Sequence, residues 1–512
     1  MGSNIMGEST DSVYDIVIIG SGIGGSTLLN RLADSGARIL MIERGQPLAD
    51  SADARDSQAI FFDGRFRPQE QWLDGNGELF NPGNYYYLGG NSKFYGAVML
   101  RYREEDFGEL KFDEGISPAW PFDYAQLAPY YQQAEALYRV RGNEGEDSCE
   151  PSGAKGYVGP AVADETDIAG VRERLHRVGV RPFSLPLALD IDRWLARGNT
   201  PWDAFPDTGC GKMDAEAAAL RPVLEHPNVT LMTGARVRRL HTEADGKRIC
   251  AVELERDGEV ERIHAGLFVL SAGAINSAAI LLRSANAQCP TGLANSSDQV
   301  GRNFMNHNCS ALLAVNPLRR NDSVYQKTLA INDFYLSDGE GGGPLGNIQL
   351  LGKVDGCMLK ANAKAAPLFA MNWLARHSVD WYVMSEDLPS PDSRVRLDAA
   401  GRIVLDWRRS NMQAHRKLLK KAKAVMRAAG YPIVLSQPFD RRTPSHQCGT
   451  VRIGNDPASA PLDPYCRSFD HSNLFVMDAS FLPTSAAVNP ALTIAAQALR
   501  VADHIKLTEL TQ

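Results

Sequence analysis

Several features are scarce or missing in this chain, and each absence excludes something. There are 8 cysteines in 512 residues, and no two of them form a C-x-x-C pair. That spacing argues against a zinc knuckle and offers no disulfide framework, so the thiols read as buried or idle in a reducing compartment. Positive charge is not in excess: the formal net charge is −7. A chain with that balance has no bulk electrostatic reason to seek nucleic acid or an anionic membrane. No basic residue precedes Arg31, so the charged start of a secretory signal is missing. No uninterrupted apolar run reaches the length of a membrane span. These absences predict a soluble, cytoplasmic protein with no metal site, no nucleic-acid partner and no membrane partner. Internal repeats and low-complexity tracts are also missing.

What is present points to a large globular protein. The chain exceeds the roughly 250–300 residues at which single cores stop growing, so two domains are expected. Hydrophobic residues make up 44% and charged residues 22%, enough apolar material for a sizeable core. The 45 glycines fall in short clusters, the pattern of tight turns and of backbone pressed against a ligand.

The densest cluster opens the chain. Residues 14–19, YDIVII, form a β-branched run that predicts a buried parallel strand. Gly20, Ser21, Gly22 and Gly25 follow at once, in the pattern G-x-G-x-x-G. Leu28, Leu29 and Leu32 then share a helical face, with Gly36 as a stop signal. Residues 37–42 make a second strand that ends on Glu43. A β-turn-α-β unit of this kind gives each part a task. Gly20 permits the tight turn, Gly22 lets backbone approach a pyrophosphate, and Gly25 lets helix pack on sheet. The helix N-terminus meets phosphate charge with its free N–H groups. Glu43 can accept hydrogen bonds from the ribose hydroxyls of an adenosine. The motif alone does not separate FAD from NAD.

Further along, residues 46–82 are polar and aperiodic, which predicts a lid or binding loop. Gly89, Gly90, Asn91, Ser92 and Gly96 follow an aromatic run, as backbone held against a flat ring would, or as a plain turn would. Residues 122–139 read as a helix and 141–165 as a connector. Residues 228–240 and 249–254 read as strands of a meander, and 267–270 as a strand leading into a turn and helix. Short alternating runs between 311 and 410 predict an antiparallel sheet, including a hairpin around DAAGR. Residues 411–429 form an amphipathic helix whose lysine-rich side reads as a solvated face.

The last 70 residues hold the candidate chemistry. His446 opens HQCGTVRIG, and Asn489-Pro490 precedes a long apolar helix. Both lie in turns beside strand or helix edges, where α/β folds collect ligand sites. Cys448 invites a Cys–His nucleophile reading, but no oxyanion-hole or third-member pattern accompanies it.

Taken in order, these pieces resemble the glucose–methanol–choline (GMC) family of FAD-dependent alcohol oxidoreductases. The resemblance rests on residues 15–26 with 43–45, on 87–101, 228–237, 271–282 and VGRNFMNH at 300–307, and most specifically on 445–454 with 478–505. It implies noncovalent FAD rather than NAD. It places Glu43 on the adenosine ribose and Val237 on the adenine through its backbone. Gly89, Gly90, Asn91, Tyr95 and Gly96 would lie along the flavin, with Ala272, Asp478, Ala479 and Pro490 completing the cofactor site. It also implies that His446 and Asn489 are the catalytic pair. The chain departs from the family pattern at Tyr95, where Asn is frequent, and at Ser277-Ala278 and residues 284–287. Phe94 stands where pyranose oxidases carry a flavin-linked histidine, hence the noncovalent expectation. Tyr95 and residues 122–142 are similar to the sugar-oxidising branch, the pyranose oxidases and bacterial fructose or gluconate dehydrogenases.

The fold implied is α/β: a doubly wound FAD-binding domain of the GMC/glutathione-reductase type plus an antiparallel sheet-and-helix substrate domain. The expected FAD domain is discontinuous, at residues 12–110, 205–310 and 440–512. The substrate domain takes 111–204 and 311–439. The implied reaction is oxidation of a hydroxyl to a carbonyl on a sugar or glycoside, with O2, a quinone or another acceptor taking the electrons. A non-sugar alcohol, a redox-silent FAD-containing lyase, or a flavin module that only carries electrons are the alternatives.

Overall fold

The computed structural model describes residues 14–510, apart from 152, 154, 155, 199, 444 and 445. Its first large sheet is built on the opening motif. β1 (Tyr14–Ile19) pairs in parallel with β2 (Ile39–Ile42) and with the far half of the Glu259–Leu270 strand. Val229–Met232 extends the sheet beyond β2, and Leu474–Val476 closes it beyond Glu259–Leu270. Residues 16–19 are buried at 0–3% exposure. Strands covered on both faces are continuously apolar for this reason. The near half of Glu259–Leu270 turns antiparallel and carries Ile249–Arg256 and then Arg236–Thr242. Helix α1 (Ile23–Leu32) packs against the long C-terminal helix Ala491–Glu509.

The second large sheet has six antiparallel strands. In spatial order they are Ile433–Pro438, Asn308–Val315, Ser378–Ser385, Asn347–Leu350, Leu329–Ile331 and Phe183–Ser184. One face of this sheet presents Leu312, Ile348, Leu350, Trp381 and Val383, all fully buried. The helix Met412–Ala428 covers that face with Leu418, Ala422 and Met426. Leu418 and Met426 each contribute about 1.5–3 kcal/mol of burial. On the outer side Lys417 and Lys421 reach Asp113 and Glu340. The opposite face of the sheet looks toward the site described below.

Four expectations need correction. Residues 46–82 are not one structureless loop: Trp72–Asp74 and Leu79–Phe80 are strands, with short helical turns at Ala52–Arg55 and Gln58–Phe62. They add to the Arg394–Leu397/Ile403–Asp406 hairpin to make a separate four-stranded sheet. That hairpin therefore does not belong to the six-stranded sheet. Strands this short become stable only through partners more than 300 residues away, which local periodicity cannot register. Val229–Met232 likewise leaves the meander and joins β2. The helix expected at 122–139 spans Tyr124–Leu137, because Asp123 Oδ1 accepts from Gln126 N–H and sets its start. Among the described residues all eight cysteines are free thiols, and no helix is long and apolar enough to cross a membrane.

Candidate active site

The Gly-rich turn is held by its own carboxylate. Gly20 has φ +104°, and a Cβ there would lie 2.3 Å from the Ser271 carbonyl oxygen. Only glycine tolerates both conditions. A Cβ on Gly25 would meet the Gly20 oxygen at 2.1 Å, so the helix packs directly on the turn. At Gly22 a Cβ would meet nothing within 4 Å, and no side chain caps α1. The helix N-terminus therefore faces open space with uncapped N–H groups, the cradle a pyrophosphate requires. Gly90 faces this point: its Cβ would stand 3.5 Å from Gly22 Cα.

Glu43 ties these segments together. Ser21 N–H and Ser21 Oγ–H both donate to Glu43 Oε2, at 2.9 and 2.6 Å, and Gly45 N–H donates to Oε1 at 2.7 Å. Ser21 Oγ in turn accepts from Gly89 N–H at 3.0 Å. Burial pushes the Glu43 carboxyl up, and these donors oppose that shift. The carboxylate thus braces the turn. Ala235 N–H donates to the Glu43 carbonyl at 3.0 Å, which brings Val237 to the same end of the sheet.

A second cluster forms around Asp478. It accepts from Ser277 Oγ–H at 2.5 Å, Gly273 N–H at 3.0 Å and Ser480 N–H at 2.8 Å. Ala272 N–H donates to Ser277 Oγ, so the turn at Ala272 stands beside the turn of Asp478 and the half-buried Ala479. Tyr95 gives its hydroxyl hydrogen to the Met213 carbonyl, 2.7 Å away, and its own carbonyl accepts from Lys212 Nζ at 2.9 Å. Asn91 is exposed, with Oδ1 accepting from Tyr85 N–H. Gly96 lies against Lys327 and Asp203, an ion pair at 2.7 Å. Pro490 starts the C-terminal helix, its carbonyl accepting from Ile494 N–H. The uncapped helix, the open face of Gly22 and the strand-end Glu43 fit the diphosphate and ribose of FAD.

His446 and Asn489, 43 residues apart, do come together. Asn489 Nδ2 lies 3.3 Å from His446 Nε2. Two further residues, absent from the sequence reading as site residues, complete the arrangement. Met305 and Cys448 pair in antiparallel fashion, exchanging both backbone hydrogen bonds at 3.0 and 2.9 Å. Antiparallel register then sets His307, two residues after Met305, opposite His446, two residues before Cys448. Their Nδ1 atoms are 2.7 Å apart. Gln349 Nε2–H donates to Asn489 Oδ1 at 3.1 Å.

The direction of every proton in this row follows from one end. His307 Nε2 lies 2.7 and 2.8 Å from the carbonyl oxygens of Ser485 and Ala486. Carbonyls only accept, so Nε2 carries the hydrogen. Burial holds the His307 pKa down to about 4, so near neutral pH its Nδ1 is a lone pair. That lone pair accepts from His446 Nδ1–H. His446 Nε2 is then a lone pair too, facing the Asn489 NH2 group. Burial, with His307 and Lys327 nearby, holds His446 well below the usual histidine range, so it stays a free base. His446 has φ +60° and Ala486 φ +50°. Non-glycine residues rarely adopt that left-handed region, and they do so where surrounding structure dictates it, often at functional sites. VGRNFMNH contains His307, but only the 305/448 pairing reveals its neighbour. Gln349 carried no local signal. Cys448 is buried with its thiol pushed up, which removes it as a nucleophile.

Similarity to known proteins agrees with this geometry. The GMC oxidoreductase family profiles match residues 205–309 and 389–498. The chain is 31% identical over 530 residues to 6'''-hydroxyparomomycin C oxidase of Streptomyces lividus, covering 97% of this chain and 93% of that one. It is 27% identical over 563 residues to the fructose dehydrogenase large subunit of Gluconobacter japonicus, covering 97% and 98%. The fold matches the crystal structure of pyridoxine 4-oxidase from Mesorbium loti with a TM-score of 0.67 at 20% identity, over 97% of this chain and all of that one. The chain belongs to the GMC oxidoreductase family of FAD-binding enzymes that oxidise hydroxyl groups.

Proposed function

We propose that this enzyme oxidises a hydroxyl of a sugar or glycoside, with His446 as base and Asn489 as its partner on the reacting oxygen. The observation that carries this reading is the proton order of the row. It leaves one unprotonated nitrogen, His446 Nε2, beside one amide donor, Asn489 Nδ2, at 3.3 Å. A substrate hydroxyl held between them gives its proton to Nε2 while the amide steadies the oxygen. The charge that builds on oxygen makes the neighbouring C–H a better hydride donor. FAD, when bound, would supply the hydride acceptor. His446 becomes doubly protonated, and its Nδ1–H bond to His307 holds the ring in place throughout. The paired orientation of base and amide converts an encounter into a positioned reaction.

The sugar class is supported by the two relatives, one named for a hydroxyparomomycin and one for fructose. Phe94 supports noncovalent FAD. It is buried and stacked on Tyr85 with ring centroids 3.7 Å apart, and it offers no nucleophile for a flavin bond. Acid precipitation should leave yellow FAD in the supernatant; colour retained in the pellet refutes noncovalent binding. The division into a parallel and an antiparallel sheet supports the discontinuous cofactor and substrate domains. Cytoplasmic residence, with O2 or a quinone as acceptor, completes the reading.

An anaerobic screen of sugars, glycosides and simple alcohols tests the function. Bleaching of the flavin by a sugar supports it, and reoxidation by air or by quinone names the acceptor. Bleaching by none of them would point to the lyase or to a carrier.

A further inference from the structure

The helix Leu368–Arg376 packs with the helix Gly356–Asn362 and reaches the Ser378–Ser385 strand. Ala375 is buried, with Met371 and Leu374 half-buried beside it. Helical periodicity puts Phe369, Asn372, Trp373 and Arg376 on the outward side, and all four are exposed. Leu368, in the first turn, is exposed as well. The outward face of a helix in water is ordinarily polar, yet Phe369 stands 77% exposed here. The stripe is not free to roll inward. A Cβ on Gly356 would fall 2.0 Å from Asn372 Oδ1, so the two helices are pressed together. Trp373 stacks on His377 with ring centroids 4.6 Å apart, which fixes the indole at the surface.

The turn after the Asn308–Val315 strand lies alongside. Asn316 N–H donates to the His377 carbonyl at 3.0 Å, and Asn321 N–H donates to the Arg376 carbonyl at 2.8 Å. This turn holds Leu318 out at 95% exposure, followed by the exposed Arg319 and Arg320. The whole-chain charge of −7 gave no reason to expect a membrane partner, but charge is unevenly spread. No acidic residue falls between Asp298 and Asp322 or between Asp355 and Asp380. Among the described residues, Arg319, Arg320, Lys364 and Arg376 enter no ion pair. The lysine-rich helix Met412–Ala428 differs, since Lys417 and Lys421 already hold Asp113 and Glu340.

We propose that this face docks the enzyme on an anionic lipid bilayer, with Phe369, Trp373, Leu368 and Leu318 entering the interface and the arginines meeting lipid phosphates. Charge complementarity selects this occupant: unpaired cations ring an apolar stripe, the composition of helices that lie in a membrane surface. Shape agrees. Leu318 and Phe369 stand out from the surface rather than lining a groove, which suits a soft layer into which side chains can sink. Trp373 is the residue type that favours the boundary between headgroups and acyl chains. A docked enzyme meets electron acceptors dissolved in lipid as well as those in water.

The test is flotation of the FAD-loaded enzyme with phosphatidylcholine vesicles, with and without phosphatidylglycerol. The enzyme should rise with the phosphatidylglycerol vesicles at about 0.01 M salt and stay behind at about 1 M, where the Debye length falls to about 3 Å. Phe369→Ser/Trp373→Ser should weaken partitioning by about 10–100-fold. Arg319→Gln/Arg320→Gln/Arg376→Gln should weaken it by about 100-fold, roughly fivefold per charge. Both variants change exposed side chains only, so FAD content and melting temperature should match the parent. Undiminished flotation of either variant overturns the proposal, as does equal flotation of the parent on phosphatidylcholine alone. Light scattering without vesicles covers the other occupant. A parental dimer that becomes a monomer in Phe369→Ser/Trp373→Ser would assign the face to a second copy and overturn bilayer docking. Should the variants fail to fold, the lipid and salt dependence of the parent still decides. None of the deciding readouts involves turnover, so docking stands or falls separately from the hydroxyl-oxidation reading.

Discussion

The cofactor cradle and the catalytic row are built in opposite ways. The cradle's central parts lie within 30 residues of one another, from Tyr14 to Glu43, and most of its bracing hydrogen bonds fall in or next to that stretch. The row draws on residues 307, 349, 446 and 489, each from a different segment. The cradle works by shape: glycines where a Cβ would collide, and an open helix end. The row works by order: each donor points toward the next acceptor until the chain ends on two carbonyls. Shape tolerates the loss of one contact better than order does.

The sharpest way to break the comparison is His446→Ala. Anaerobic reduction by substrate should slow by about 10²–10⁴-fold with FAD retained. In the parent the rate should fall as pH drops. The limb should lie below the usual histidine pKa of about 6.5, because His446 is held well below it and must be deprotonated to act. That limb should vanish in the variant. A parental rate in His446→Ala removes the catalytic assignment, and loss of FAD would assign the histidine to the C-terminal turn instead.

Glu43→Ala probes the cradle. Three donors, two from Ser21 and one from Gly45, lose their acceptor along with the expected ribose bonds. FAD dissociation should rise by roughly 10–100-fold, with a lower melting temperature. Unchanged FAD retention would mean that the strand-end acid does not hold the ribose.

Asn489→Ala should slow reduction less than His446→Ala, since an amide orients oxygen but takes no proton. The double variant should lose less than the product of the single losses, because both act on one oxygen. Full multiplicativity would separate their roles.

The smallest expected effect is His307→Leu, about 10-fold on reduction, the worth of one hydrogen bond that selects the tautomer. The acid limb should persist, since His446 remains. A limb lost in this variant would transfer the base assignment to His307.

The sequence by itself determined the β-turn-α-β unit, its glycines, the strand-end Glu43 and the dense C-terminal motif. These signals are legible because strand, turn and helix follow each other along the chain, and each glycine answers a steric demand of its neighbours. Hydrophobic alternation also announced the antiparallel sheet and its covering helix. The tertiary structure alone decided that Trp72–Asp74 joins a hairpin beyond residue 390, and that Val229–Met232 leaves its meander for β2. It alone placed His307 across from His446, through a two-residue bridge between positions 305 and 448. Gln349 was invisible for the same reason. A hydrogen-bond row takes its direction from its terminal acceptors, here the carbonyls of Ser485 and Ala486. Backbone carbonyls are the same in every sequence, so only their position in space reveals what they do.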